Sequence, residues 1–106
     1  MITTYIKKDH IVQELAEEYA YLEAAASHHK YINNNQEMST YMLEHVSELT
    51  NVILRLGIAK EVYDEAIKIY NFENDGKEEY VNKELCEKVY NELMLKQTEK
   101  LKTQTE

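Results

Sequence analysis

Residues 13–31, QELAEEYAYLEAAASHHKY, read as one long helix. Val12, Leu15, Tyr19, Leu22, Ala26 and His29 recur in alternating three- and four-residue steps, which sets one apolar seam along it. A second stripe, His10, Glu14, Glu17, Tyr21, Ala24 and His28, runs on nearly the opposite side at about 100° per residue. A third row is small: Ala16, Ala20, Ala24 and Ser27. A helix with an apolar seam, a small-residue row and an acid–aromatic stripe has little surface left for solvent alone. It is expected to pack on more than one side, with Glu14 and Glu17 facing a site.

Outward from that helix the chain keeps the same period. Asn33, Asn34 and Asn35 form a break, because asparagine side chains compete with helical hydrogen bonds and tolerate left-handed backbone. The next helix has Met38, Met42, His45, Leu49, Val52 and Leu56 as its seam and Glu44, Glu48, Asn51 and Arg55 opposite; Gly57 is placed to cap it. A shorter helix turns Val62, Ala66 and Ile69 inward, with Tyr63, Ile67 and Tyr70 alongside. Asn74, Asp75 and Gly76 signal a turn. The last helix carries Val81, Leu85, Cys86, Val89 and Leu93, then loses its pattern in a polar tail expected to fray from about residue 97. The expected helices are 7–32, 36–56, 59–72 and 77–102, with Thr3, Thr4 or Asp9 as candidate first caps. The expected fold is all-α, a four-helix bundle in one domain spanning 1–106. Its thin core argues for completion by oligomerisation through the 49–56 and 81–93 stripes, as a homodimer or higher oligomer.

Composition narrows the classes. There is no proline, and there are only two glycines. The formal charge is −8, from 20 acidic and 12 basic residues, which disfavours direct contact with nucleic-acid phosphates. No apolar run reaches membrane length and the N-terminus lacks a signal-peptide core, so a cytoplasmic protein without membrane contact is expected. The single Cys86 cannot form an intrachain disulfide and reads as a small buried hydrophobe.

The residues that suggest chemistry are acidic. Glu14 and Glu17 stand at i and i+3, a spacing that brings two carboxylates within reach of one hard cation such as Mg²⁺. Glu48 and Asn51 repeat the spacing on the next helix. The bland reading of each pair is a solvated helix face. His28 and His29 point about 100° apart and cannot chelate one ion together; His29, on the seam, reads as a hydrogen-bonded core histidine. No zinc cluster, glycine-rich phosphate loop or nucleophile elbow is present. The nine tyrosines read as amphipathic packing, with Tyr21 or Tyr70 the candidates for stacking on a base.

Taken together, ELAEEYAYLEAA on one helix, SELTNVILRL on the next and DEAIKIYNFENDGK after it resemble the MazG-like, all-α nucleoside triphosphate pyrophosphohydrolases over residues 13–77. The resemblance implies a MazG-like bundle that hydrolyses a nucleoside triphosphate to its monophosphate and pyrophosphate with Mg²⁺ or Mn²⁺. Glu14, Glu17, Glu48 and Asn51 would be metal ligands, and Asn74 and Lys77 would stand near the nucleotide phosphates. Glu17 and Glu48 would be the catalytic carboxylates, with ligand and base roles unassigned between them. The ions would neutralise the phosphates and lower the pKa of an attacking water, which is how so acidic a chain would hold a polyanion. Ser47 stands where many members have a further Glu, Asn51 replaces an Asp, and Tyr70 stands where a Lys is usual. These departures motivate the alternative: a non-catalytic, acidic helical interaction protein that binds other proteins, including basic ones. For the enzyme the sequence places the site between the first two helices, where Glu14, Glu17 and Glu48 are expected to converge beside Asn51.

Overall fold

The computed structural model describes residues 7–74 and 83–105. Among them the chain is all-helical with no strand: α1 (Lys8–Tyr31), α2 (Gln36–Leu56), α3 (Ala59–Ile69), a 3₁₀ turn (Phe72–Asn74) and α4 (Lys83–Thr105).

The breaks follow local chemistry. Asn34 takes a left-handed φ of 51°, and the Asn35 side chain accepts the Met38 N–H at 3.1 Å as the cap of α2. Gly57 sits at φ 72°, which lets its N–H reach the Leu54 carbonyl at 3.1 Å and the Ile58 N–H reach Ile53 at 3.4 Å. α1 begins after extended Lys7 without a side-chain cap; Asp9, a candidate cap, lies inside the first turn, where its charge suits the helix dipole. Thr3 and Thr4 lie outside the described residues.

Two boundaries differ from expectation. α3 stops at Ile69, not 72, because Tyr70 turns extended (φ −149°, ψ 120°). That turn lets both Tyr70 and Phe72 enter the core, which a continuing helix would not do. α4 continues through the tail to Thr105, sustained by the helix formers Leu, Lys, Gln and Glu in place of an apolar seam. Its expected start at 77 lies outside the described residues.

α1 is the centre of the fold. It packs against α2, α3, α4 and the 3₁₀ turn, and α2 also touches α3. Its alanines, rather than the large seam, are its deepest part: Ala16, Ala20 and Ala24 of the small-residue row and the adjacent Ala25 have 0% exposure. Alanine lets neighbouring helices approach closely, and it is the best helix former, so one row serves both packing and propensity. The core is accordingly thin, with Val62 and Ser39 its largest fully buried side chains. Tyr19, Tyr63 and Phe72 add an aromatic cluster with ring centres 5.1 to 6.3 Å apart, joining α1, α3 and the turn. Lys8 Nζ donates to Glu61 Oε1 at 3.3 Å across α1 and α3. A hydrogen bond with its own backbone and the Lys8 ammonium hold the Glu61 carboxyl below its usual range.

The α2 seam is rotated from its expected position. Ser39, Val46 and Ile53 are buried, Met42, His45 and Leu49 are half-buried, and Met38, Val52 and Leu56 face solvent. The cause is that α2 is apolar around more than half its circumference, so the pattern permits several stripes. Packing on α1 selects the middle one and leaves an apolar shoulder on either side, Met38, Tyr41, Val52 and Leu56 on one, Leu43 and Leu54 on the other. The 81–93 stripe expected at an oligomer interface is used within the chain: Cys86, Val89 and Leu93 are buried, and Val89 and Leu93 join the core cluster. Val81 lies outside the described residues, as does the Leu85 side chain.

Candidate functional site

The acidic residues singled out in the sequence fall along different grooves beside α1. The first lies along α4 and is lined by Glu14, Glu17, Glu18, Tyr21, Leu93, Lys96 and Gln97. Four of its polar residues, Glu17, Glu18, Tyr21 and Gln97, are engaged locally. Gln13 Nε2 donates to Glu17 Oε1 at 3.3 Å, Gln97 Nε2 donates to Glu18 Oε2 at 3.3 Å, and the Tyr21 hydroxyl donates to the Met94 sulfur at 3.0 Å. Burial, followed by the neighbouring Tyr90 and Glu18, raises the Tyr21 pKa, so its hydroxyl keeps its proton as a donor.

The second groove lies between α1 and α2. Leu22, Leu49 and Val52 supply apolar wall, and Glu18, Glu48 and His45 stand around it. His45 Nδ1 is 3.6 Å from Glu48 Oε2, one helical turn away. Glu18 therefore borders both grooves, because residue 18 falls between the α4-facing and α2-facing sides of α1.

The expected convergence does not occur in this arrangement. Glu14 and Glu17 line the α4 groove, Glu48 lines the α2 groove, and Asn51 lies exposed on the outer face of α2. Among the described residues no three His, Cys, Asp or Glu side chains come together to hold a metal. The carboxylate that does share a groove with Glu48 is Glu18, which the i, i+3 rule passed over. Asn74 closes the 3₁₀ turn, with its side chain outside the described ones, and Lys77 lies outside the described residues.

A third set of polar rings occupies the far end of the α1–α4 contact. The His28 and Tyr90 rings stack with centres 4.1 Å apart and planes at 9°. His28 Nδ1 is buried and has no hydrogen-bond partner among the described residues. Desolvation by burial, then the adjacent His29, lowers the His28 pKa, against an opposing pull from Glu87. The His29 and His28 rings lie edge to face, and His29 Nδ1 is 3.3 Å from the Asn33 side-chain amide, so the pair does not chelate. Cys86 is buried with its thiol 3.5 Å from the Ala24 carbonyl, in keeping with a small core residue.

The residues that sequence reasoning did not single out are Tyr41, Leu43 and Leu54, all exposed on α2. The available signal was the breadth of the apolar arc on that helix, which exceeds what one neighbour covers. No family model matches the chain, and neither a curated protein nor a solved structure does. The MazG-like resemblance accordingly rests on the motif residues alone.

Proposed function

We propose that the chain is a non-catalytic helical interaction protein that works through α2. One observation carries this reading: α2 exposes six large apolar side chains, Met38, Tyr41, Val52 and Leu56 on one shoulder and Leu43 and Leu54 on the other. Single exposed leucines are ordinary on a soluble domain, but a concentration on one element marks an interaction surface. The Leu54 side chain is 60% exposed and Leu56 55%. Fully covering a side chain of this kind stabilises by roughly 1.5–3 kcal/mol, so a partner on either shoulder gains without any change in the fold.

The pyrophosphohydrolase reading asks for Glu14, Glu17, Glu48 and Asn51 around one Mg²⁺ or Mn²⁺. Hard-cation ligands stand near 2.0–2.6 Å from the ion, and a set divided between two grooves and an outer face does not fit that demand.

Two measurements test the proposal. Incubation with a panel of nucleoside triphosphates and Mg²⁺ or Mn²⁺ is expected to release no pyrophosphate above a metal-free control; release that Glu17→Gln abolishes restores the enzyme. Val52→Ser and Leu54→Ser in the isolated chain are expected to shift unfolding free energy by no more than about 0.5 kcal/mol each, as exposed sites do. Losses well above about 1 kcal/mol would show that the chain itself covers these shoulders, and the interaction reading would fall.

A further inference from the structure

We infer that the groove between α1 and α2 receives a basic amphipathic helix from another protein; the inference rests on the interaction reading above and names its occupant. The groove has the parts that a helix-in-groove contact needs. Leu22, Leu49 and Val52 form an apolar wall, and Val52 is exposed at its lip. A carboxylate stands on each bank, Glu18 from α1 and Glu48 from α2. Among the described residues neither is paired with a lysine or arginine; Glu18 accepts from Gln97, and Glu48 faces His45. On α2 the lining runs from His45 to Val52, about 10 Å at 1.5 Å per residue, which matches the i to i+7 stripe of a docked helix.

Charge selects the occupant. α1 and α2, which supply both banks, contain eight acidic residues against Lys8, Lys30 and Arg55, and Lys8 is engaged by Glu61 of α3. A helix with apolar residues at i, i+3 or i+4, and i+7 would seat on the wall, and lysines or arginines beside that stripe would reach Glu18 and Glu48. Steering by the acidic face would speed its encounter and fix its register. A second copy fits less well. A two-fold interface brings the same patch against itself, so the acidic banks would meet acidic banks, on chains of charge −8 each. Anionic lipids and nucleic acids meet the same repulsion.

The test uses the full chain and two synthetic helical peptides of about 18 residues, long enough to hold helix on docking. Both carry leucine at the same i, i+3, i+4, i+7 positions; one carries lysine elsewhere, the other glutamate. Calorimetric titration is expected to show the lysine peptide binding, with affinity that falls as salt rises. The glutamate peptide is expected to bind at least about tenfold more weakly. Val52→Ser should weaken the lysine peptide about tenfold by removing apolar contact at the lip. Glu48→Gln should weaken it less and flatten the salt dependence. Circular dichroism on both variants checks that the fold is intact, as expected for exposed positions. The inference is overturned if the lysine peptide does not bind, if Val52→Ser binds it as well as the parent, or if both peptides bind alike. It is also overturned if sedimentation shows a dimer that Val52→Ser dissolves, since the groove then belongs to a second copy and the interaction reading survives. Pyrophosphate release in the nucleotide assay removes the interaction reading separately.

Discussion

α1 and α2 are helices of similar length, 24 and 21 residues, and they are used in opposite ways. α1 buries eight residues, most of them alanine; α2, with far more Leu, Met, Val and Ile, buries Ser39, Val46 and Ile53. Hydrophobic content therefore does not rank these helices by burial; position in the bundle does. α1 is enclosed by three helices, so small side chains suffice to fill its surroundings. α2 lies at the edge, and its surplus apolar surface remains outside. The small side chains gather at the centre, where α1 is enclosed, and the apolar excess stays at the edge, on the uncovered sides of α2.

The sharpest way to break the comparison is to truncate neighbours on α2. Ile53 is 3% exposed and Val52 46%. Ile53→Ala should cost roughly 2–5 kcal/mol, through lost transfer energy and the cavity left behind. Val52→Ala should stay near the background of exposed positions. Urea unfolding of the pair measures both; equal losses would mean that α2 is covered on two sides after all.

The alanine row gives the next largest effect. Ala20 has 0% exposure and no room for a larger group, so Ala20→Leu should cost about 1–3 kcal/mol by overpacking. Stabilisation by that change would show that the helices around α1 stand further apart than the buried alanines imply. Gly57→Ala follows. The space around its Cβ position is open, so the loss comes from the left-handed φ of 72° alone, about 1 kcal/mol.

These residues also show what was legible in the sequence. The ends of α2 were, because Asn35 and Gly57 act locally: a cap accepts one N–H, and a left-handed turn needs a residue that tolerates it. The centrality of α1 was legible from its three distinct faces. The depth of the alanine row was not, since Ala16 and Ala20 look unremarkable until three helices close around them. The orientation of α2 was not, because an apolar arc more than half a turn wide does not choose its own middle. For the site, i, i+3 spacing placed Glu14 and Glu17 on one face correctly. It gave no information on which neighbour that face would meet; α4 took it, and of the three carboxylates only Glu18 also borders the groove with α2.

The smallest predicted effect lies at the third covered side of α1, where α4 reaches His28. Burial lowers the His28 pKa below the ordinary 6.5, with His29 adding to the shift and Glu87 opposing it. The sign follows from proton counting. The unfolded chain carries a histidine that protonates near 6.5, while the folded chain resists protonation until lower pH. Between those points the unfolded state binds more protons, so stability falls as pH drops below 6.5 and is unaffected by this group above it. The ring is only half-buried, which keeps the effect small. The parent curve alone does not isolate one group. His28→Phe does: the ring can still stack on Tyr90, while the titrating group and its unpartnered Nδ1 are gone. Thermal midpoints of parent and variant, taken from pH 8 down to pH 5, should run parallel above about 6.5, and below it the parent should lose more than the variant. Parallel curves throughout would mean that His28 titrates as it does in the unfolded chain. In that case α4 does not desolvate this end of α1, and α1 is enclosed less completely than its alanine row indicates.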